Sequence, residues 1–232
     1  MNTLVIDTST KNELIAVSTP GGEVSFAQSV NKSHSVTLFN NIDGLLDKSG
    51  IKINEINLIG VGIGPGSFTG IRIAISTARM LAQILKVPLV GVKSHRIYAV
   101  SIDAEIDDNI LIAFDAKKNR VFGALYKGTS NALNPTEIIQ PGDYTIDYIL
   151  KEMDGNKTIS TGDGILKFHD IISQKIKNHE IIKNFNLSSG KTSALINEIY
   201  NGDPGSFDEY KNTLPFYARK SDAEILKKIN KK

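Results

Sequence analysis

The chain has 232 residues, of which 41% are hydrophobic and 22% charged, with no cysteine and a net charge of +2. That length suits one large domain or two lobes of about 100 residues, and the composition excludes a disordered chain, a disulfide-stapled scaffold and thiolate chemistry. Residues 219–232 hold six basic and two acidic side chains, so the remainder is slightly acidic. A nucleic-acid binder usually carries a basic body instead, and the basic tail reads as a solvated helix end.

The opening, Met1 to Asp7, lacks the basic start and the apolar stretch of a signal peptide. No run of about 18 apolar residues follows anywhere. A cytoplasmic protein without a membrane span is expected.

In chain order, Leu4-Val5-Ile6-Asp7 is a short apolar strand ending in aspartate. A polar turn (Thr8 to Asn12) leads to a second strand over Glu13 to Ser18. The Pro20-Gly21-Gly22 turn leads to a third over about Glu23 to Val30, and a helix starts near Ser33. The pattern recurs from Ile110. Leu111 to Asp115 again ends in aspartate, a polar turn precedes a strand over Arg120 to Tyr126, a further strand lies near Glu137 to Gln140, and a helix starts near Gly142. The copies are offset by 108 residues, the separation of Asp7 and Asp115. Between them, Asn57 to Ile63 and Pro88 to Val92 are strands joined by a helix over about Phe68 to Lys86. Such a crossover implies a parallel pair. Later, Lys157 to Thr161 reads as strand, and Gly164 to Ser173 and Thr192 to Tyr200 as helices. An α/β protein of two duplicated lobes is predicted. The first spans 1–105 and the second 106–232, the last helix packing back on the first lobe.

Gly64-Pro65-Gly66-Ser67-Phe68-Thr69-Gly70-Ile71-Arg72 joins a buried strand to a helix. Ser67 or Thr69 can cap the first helical turn, whose free amides suit an anion; a purely structural tight turn is the other reading. The spacing is neither a Walker loop nor a dinucleotide fingerprint. The helix that follows carries Ala74, Ala78 and Ala82 in one stripe, beside Ile71, Ile75, Leu81 and Leu85. The earlier helix, Ser33 to Lys48, carries Val36, Leu38, Phe39, Ile42, Leu45 and Leu46. A helix lying on a sheet needs an apolar stripe of about 100°, and both helices exceed it. The surplus either packs inside the monomer or forms a patch for another polypeptide.

His34, His95, His169 and His179 offer no pair four residues apart, so no helical metal site is predicted. No Gly-x-Ser-x-Gly elbow is present. Asp7 and Asp115 occupy matching strand ends; they either face one cleft as paired carboxylates or cap their own turns.

These segments, in this order, resemble the TsaB (YeaZ) family: Ile6-Asp7-Thr8-Ser9, Gly64 to Arg72, Pro88 to Val92, Asp115-Ala116-Lys117, Gly162-Asp163-Gly164 and Pro215-Phe216-Tyr217-Ala218-Arg219. The resemblance implies a two-lobe actin-like ATPase fold. It also implies a noncatalytic scaffold that binds a TsaD-like partner, with a TsaE-like ATPase in the larger complex. That complex transfers threonylcarbamoyl from its adenylate to N6 of the adenosine beside the tRNA anticodon. Self-pairing through the same helices is implied when the partner is absent, with tRNA engaged only through the complex.

The expected partner surface is Val36, Phe39, Ile42 and Leu46 with Ile71, Ile75, Ala78 and Leu85. Ala78→Asp is expected to break the complex and spare the fold. Asp7, Ser9, Ser67, Thr69 and Asp115 are the candidate nucleotide or anion contacts. No cofactor is expected for the chain alone; ATP or ADP is expected, if anywhere, at the partner interface.

Ser94 and Tyr98 stand where TsaD-like relatives carry two metal-binding histidines. Ser9 and Lys117 stand where the superfamily's phosphate loops carry glycine, and Ala74 stands where this family usually has glycine. The rival readings are a lone enzyme (a nucleotide-dependent transferase or metalloprotease-like hydrolase) and a direct tRNA-binding module.

Overall fold

The computed structural model describes residues 1–29, 34–183, 185, 188–200 and 211–219. The basic tail beyond Arg219, Ser33 and Val30 lie outside these. Two five-stranded mixed sheets form the frame. In the first, β1 (Thr3–Asp7) pairs antiparallel with β2 (Asn12–Thr19), which pairs with β3 (Gly22–Ser29). On its other side β1 pairs parallel with β4 (Leu58–Gly62), and β4 with β5 (Leu89–Val92). The second sheet repeats that order. β6 (Asn109–Asp115) lies between antiparallel β7 (Val121–Lys127) and parallel β9 (Thr158–Thr161), with β8 (Thr136–Tyr144) and β10 (His179–Ile182) at the edges. The duplicated order is that of the actin-like ATPase fold.

Alternation along β1 sorts its side chains into two cores. Leu4 and Ile6 point outward beneath α1 (His34–Ser49) and α2 (Phe68–Leu85), whereas Val5 points into the middle layer. That layer holds α3 (Ser94–Val100) and α7 (Ser189–Tyr200), packed with Ile110, Ile112 and Phe114 of β6. Thus α7 lies on the first sheet, its Ile196 against Gly60 of β4. Outside the second sheet, α4 (Ile146–Lys151), α5 (Asp163–Lys167) and α6 (His169–Lys175) cover Leu111 and Ala113.

Several boundaries differ from the sequence reading for local reasons. The helix after β8 starts at Ile146 rather than near Gly142, because the Thr145 hydroxyl caps it by accepting from the Tyr148 amide at 3.3 Å. The single helix read over Gly164 to Ser173 is two, broken at Phe168. β10 and α3 were not read at all; each is short, and α3 is buried on nearly every side, so it shows no amphipathic period.

The main correction concerns the two outer helices. Ile42, Leu46, Ile71, Ile75 and Ala78 are buried in the chain's own core, at 3% exposure or less, and Leu85 is partly buried against it. They are not a partner surface. The alanine stripe of α2 faces the sheet, where small side chains let helix and strands approach closely, and Ala74 therefore shapes this contact rather than an outer groove. Of the eight residues, only Val36 (61%) and Phe39 (44%) stand exposed. Ala78→Asp should accordingly place an unpaired charge in the core and destabilise the isolated chain by about 3–5 kcal/mol, read in thermal or urea unfolding.

Candidate functional site: the cleft between the lobes and the outer helix pair

The turn after β1 and the glycine loop before α2 are built against each other. The Ser67 amide donates to the Ser9 carbonyl at 2.6 Å, and the Thr8 hydroxyl donates to the Gly70 carbonyl at 2.7 Å. A Cβ at Gly66 or Gly70 would collide with the backbone oxygens of Ser9 and Thr8, so glycine is required there by close approach. Ser67, not Thr69, caps α2 by accepting from the Gly70 amide at 3.2 Å. The loop's other neighbour is α3: the Ser94 amide donates to the Gly64 carbonyl at 2.9 Å, and the Gly64 amide to the Ser94 hydroxyl at 3.0 Å.

Facing this wall across a cavity of about 450 Å³ is the turn after β6. Ser9, Thr10, Lys11, Ser67 and Phe68 line one side; Phe114, Asp115, Lys117 and Asp163 line the other. Lys117, Lys118 and Asn119 all adopt left-handed backbone conformations. Lys117 thus takes the geometry a glycine would take, and its ammonium folds back onto Asp115 at 2.7 Å. Lys167 reaches the other carboxylate oxygen at 2.8 Å. Burial alone would raise this carboxyl, but the hydrogen bonds from Lys117 and Lys167 outweigh it and hold Asp115 well below the usual carboxylate range. Asp163 Oδ1 accepts from the Asp115 amide at 2.8 Å.

Asp7 and Asp115 do not form a pair in one cleft. Asp7 shares the face of Val5 and Asp115 that of Leu111 and Ala113, so the matching strand ends point to opposite kinds of layer. Asp7 is buried behind Ser9, whose amide donates to Oδ1 at 2.7 Å. Burial pushes its carboxyl up, against the hydroxyls of Ser9 and Ser94, the Ser9 amide and the charge of His34. Asp7 therefore caps its own turn. Thr69 turns away from the cleft into the groove between α1 and α2. Of the five proposed anion contacts, Ser9, Ser67 and Asp115 line the cavity, and Asp7 and Thr69 do not.

A metal-bound polyphosphate fits this lining poorly. The Ser67 and Gly70 amides at the head of α2 are engaged, Ser9 is drawn against Gly66, and Lys117 and Lys167 already neutralise Asp115. His95 is engaged through one ring nitrogen, its buried Nδ1 having no hydrogen-bond partner among the described residues. It is buried on α3, with Nε2 donating to the Phe122 carbonyl at 2.9 Å, and burial pushes it down to about 4, so the ring is neutral. Among the described residues no three His, Cys, Asp or Glu side chains gather closely enough to hold a metal ion.

The segment Lys211–Arg219 crosses the cleft mouth and had been read only as a motif. Arg79 of α2 donates to the carbonyls of Lys211 and Thr213 at 2.8 and 2.7 Å. The Phe216 amide donates to the Ile63 carbonyl at 2.8 Å. The Tyr217 ring stacks on Phe68 with centroids 4.7 Å apart, and its hydroxyl accepts from Arg72 Nε at 2.9 Å. Arg219 then donates to the Ala116 carbonyl at 2.8 Å and approaches Asp143 of β8 at 3.7 Å. The strap therefore touches both lobes.

On the far side of α2, Ile73 is partly buried and Met80 (41%) and Ile84 (68%) are exposed. Their spacing of seven and four residues puts them on one stripe. Ile73 and Phe39 meet in the α1–α2 groove, a depression of about 490 Å³ that also includes Leu38, Phe68 and Arg72. A fully buried core therefore underlies a second, exposed apolar face.

Together the repeated sheets, the interlobe cleft and the outer helix pair define a two-lobe actin-like protein in which the turns lining the cleft are engaged by the chain's own groups. The family described as "TsaD: tRNA N6-adenosine threonylcarbamoyltransferase" matches residues 17–227. A Bacillus subtilis relative, "tRNA threonylcarbamoyladenosine biosynthesis protein TsaB", is 30% identical over 66% of this chain and 68% of its own length. A relative of the same name from Buchnera aphidicola of Acyrthosiphon pisum is 27% identical over 69% of this chain and 74% of its own. Other curated relatives are matched over little more than half their length. The solved structure of YeaZ from Pseudomonas aeruginosa shares the fold, with a TM-score of 0.73 at 22% identity, covering 93% of this chain and 99% of that one. The chain belongs to the TsaB (YeaZ) family, within the broader TsaD group.

Replacing Lys117 and Lys167 by methionine should return the Asp115 carboxyl toward its ordinary range, followed by carbon NMR of the side chain against pH. Because the folded value is depressed, the stabilisation is present above about pH 4 and is lost as pH falls. The double variant should lack that acid-side loss.

Proposed function

We propose that the chain is a noncatalytic subunit in tRNA threonylcarbamoyladenosine formation, which grips a TsaD-like protein through the outer faces of α1 and α2. The observation that carries this reading is that Val36 and Phe39 of α1 and Met80 and Ile84 of α2 are exposed, on helices whose inner faces already fill the core, with Phe39 lining an apolar groove against α2. Exposed apolar side chains on neighbouring helices are a common mark of sites where another polypeptide excludes water. Two helices from each protein would meet as a four-helix contact. The self-bound state of Asp115 and the fully buried, neutral His95 support assigning the chemistry to the partner. In this reading a nucleotide, where one takes part, is held with the partner. A TsaE-like ATPase and tRNA join through the complex, and the same face supports a homodimer in the partner's absence.

The test is association of the purified chain with the TsaD-like protein of its host, by sedimentation or calorimetry. Ile84→Glu and Val36→Asp should each weaken binding by about 2 kcal/mol or more, roughly thirtyfold. Both residues are exposed, so unfolding should stay within about 0.5 kcal/mol of the parent. Binding unchanged in both variants, or threonylcarbamoyl transfer by the chain alone, would overturn the reading.

A further inference from the structure

Glu13 of β2 lies on the outer face of the first sheet, with a fully buried side chain. Among the described residues, its side-chain hydrogen-bond partners come from one face of α1, at positions 34, 37 and 41: the Thr37 hydroxyl donates at 2.8 Å, the Asn41 amide at 2.5 Å, and His34 Nδ1 lies 3.2 Å from Oε2. The other ring nitrogen of His34, Nε2, lies 2.9 Å from the carbonyl oxygen of Thr10. Thr10 sits in the turn after β1 and lines the interlobe cleft.

Both groups facing the His34 ring are acceptors. A carbonyl oxygen can only accept, so Nε2 must carry a proton. An ionised Glu13, already receiving Thr37 and Asn41, can only accept, so beside it Nδ1 carries a proton as well. A neutral imidazole would satisfy both sides only if Glu13 itself held the proton. Three donors gathered on Glu13 favour its ionised form, and the arrangement fits an imidazolium in a place where a buried carboxylate needs a counter-charge.

We propose that His34 is a positioning residue whose imidazolium ties the cleft turn to α1, so that loss of its proton releases Thr10 and weakens association through the α1–α2 face. The second half of that statement rests on the partner reading above; the first does not. A ring held between Glu13 and Thr10 makes the position of the cleft turn and the position of the helix bearing Val36 and Phe39 parts of one equilibrium. Any group that displaces Thr10 in the cleft then acts on the helix, and the reverse holds by linkage.

Among the described residues, the charged groups near the ring can be named. Glu13 on β2 touches it, and Asp7 on β1 acts from farther away. Lys11 flanks Thr10 and is exposed, Arg72 of α2 is engaged by Tyr217, and Glu23 of β3 lies beside Gly190 of α7. Burial alone would lower His34, but the hydrogen bonds to Glu13 and Thr10 outweigh it and raise the imidazole above its ordinary 6.5, while Glu13 is lowered below 4.5. The link is thus intact between the ordinary carboxylate range and a point above 6.5. It is lost on the alkaline side as His34 deprotonates and on the acid side as Glu13 takes a proton.

The full chain alone suffices for the first test. The His34 ring nitrogens are titrated by NMR from about pH 5.5 to about 9, with the Thr10 amide and the Val36 methyls followed in the same samples. Both nitrogens should be protonated near neutrality, and all three signals should share one midpoint above 6.5. A ring found neutral near pH 7, or Thr10 and Val36 signals that do not follow the ring, would overturn the proposal. In a second arm, association with the TsaD-like protein should weaken about fivefold to tenfold across the His34 midpoint. His34→Gln, which folds cooperatively if the role is positional, should be weaker at neutral pH and flat with pH. A variant that keeps the parent's pH dependence overturns the coupling. Absence of association at every pH overturns the partner reading instead, and the shared midpoint still decides the link.

Discussion

The contact between the turn after β1 and the glycine loop governs much of what the molecule presents. Two backbone oxygens, those of Thr8 and Ser9, rest where Gly70 and Gly66 have no side chain, and two hydrogen bonds hold them there. An approach this close leaves α2 little freedom to roll or slide on the sheet. Its azimuth decides which stripe is core and which is surface. The same contact closes one wall of the cleft and spends amides that an open helix end would leave to a ligand.

With α2 held this way, its two apolar stripes meet different surroundings. The alanine stripe fits where helix and strands lie closest, and larger residues flank it in the core. The opposite stripe is only partly covered at Ile73 and exposed at Met80 and Ile84. Burying an apolar side chain is worth about 1.5–3 kcal/mol, so covering Met80, Ile84, Val36 and Phe39 would favour the partner contact proposed above. Loss of translational freedom and ordering of the surface offset part of that gain, which is why a few well-packed side chains decide the outcome rather than area.

The strap from Lys211 to Arg219 gives the cleft its third side. It is pinned by main-chain hydrogen bonds to Arg79 and Ile63, by the stack of Tyr217 on Phe68, and by Arg219 on the second lobe. Most of its contacts run over more than a hundred residues of sequence separation, so it couples residues 211–219 to the turn after β6. Beside it the two aspartates that sit 108 residues apart have diverged in use. Asp7 stays buried and caps its turn, whereas Asp115 is held ionised by two lysines.

Reading residues in order was enough to find the duplication, the strand–helix–strand crossover and the glycine loop, because alternation and turn chemistry act over a few residues. It also showed that α1 and α2 carry more apolar surface than one sheet can cover. It assigns 42, 46, 71, 75 and 78 to the partner surface, where the structure buries them, because they are as apolar as 36, 39, 80 and 84. Only close packing against β4, with the glycine loop pinned to β1, breaks that tie. The same holds for the polar residues. His34, Glu13 and Thr10 carry no pattern in sequence, and Tyr217 and Arg219 are legible there only as part of a motif, without their place beside the cleft. Their roles arise from the pairing of β1 with β2, the docking of α1 and the return of the chain's end across both lobes. Those are long-range contacts, and no local pattern encodes them.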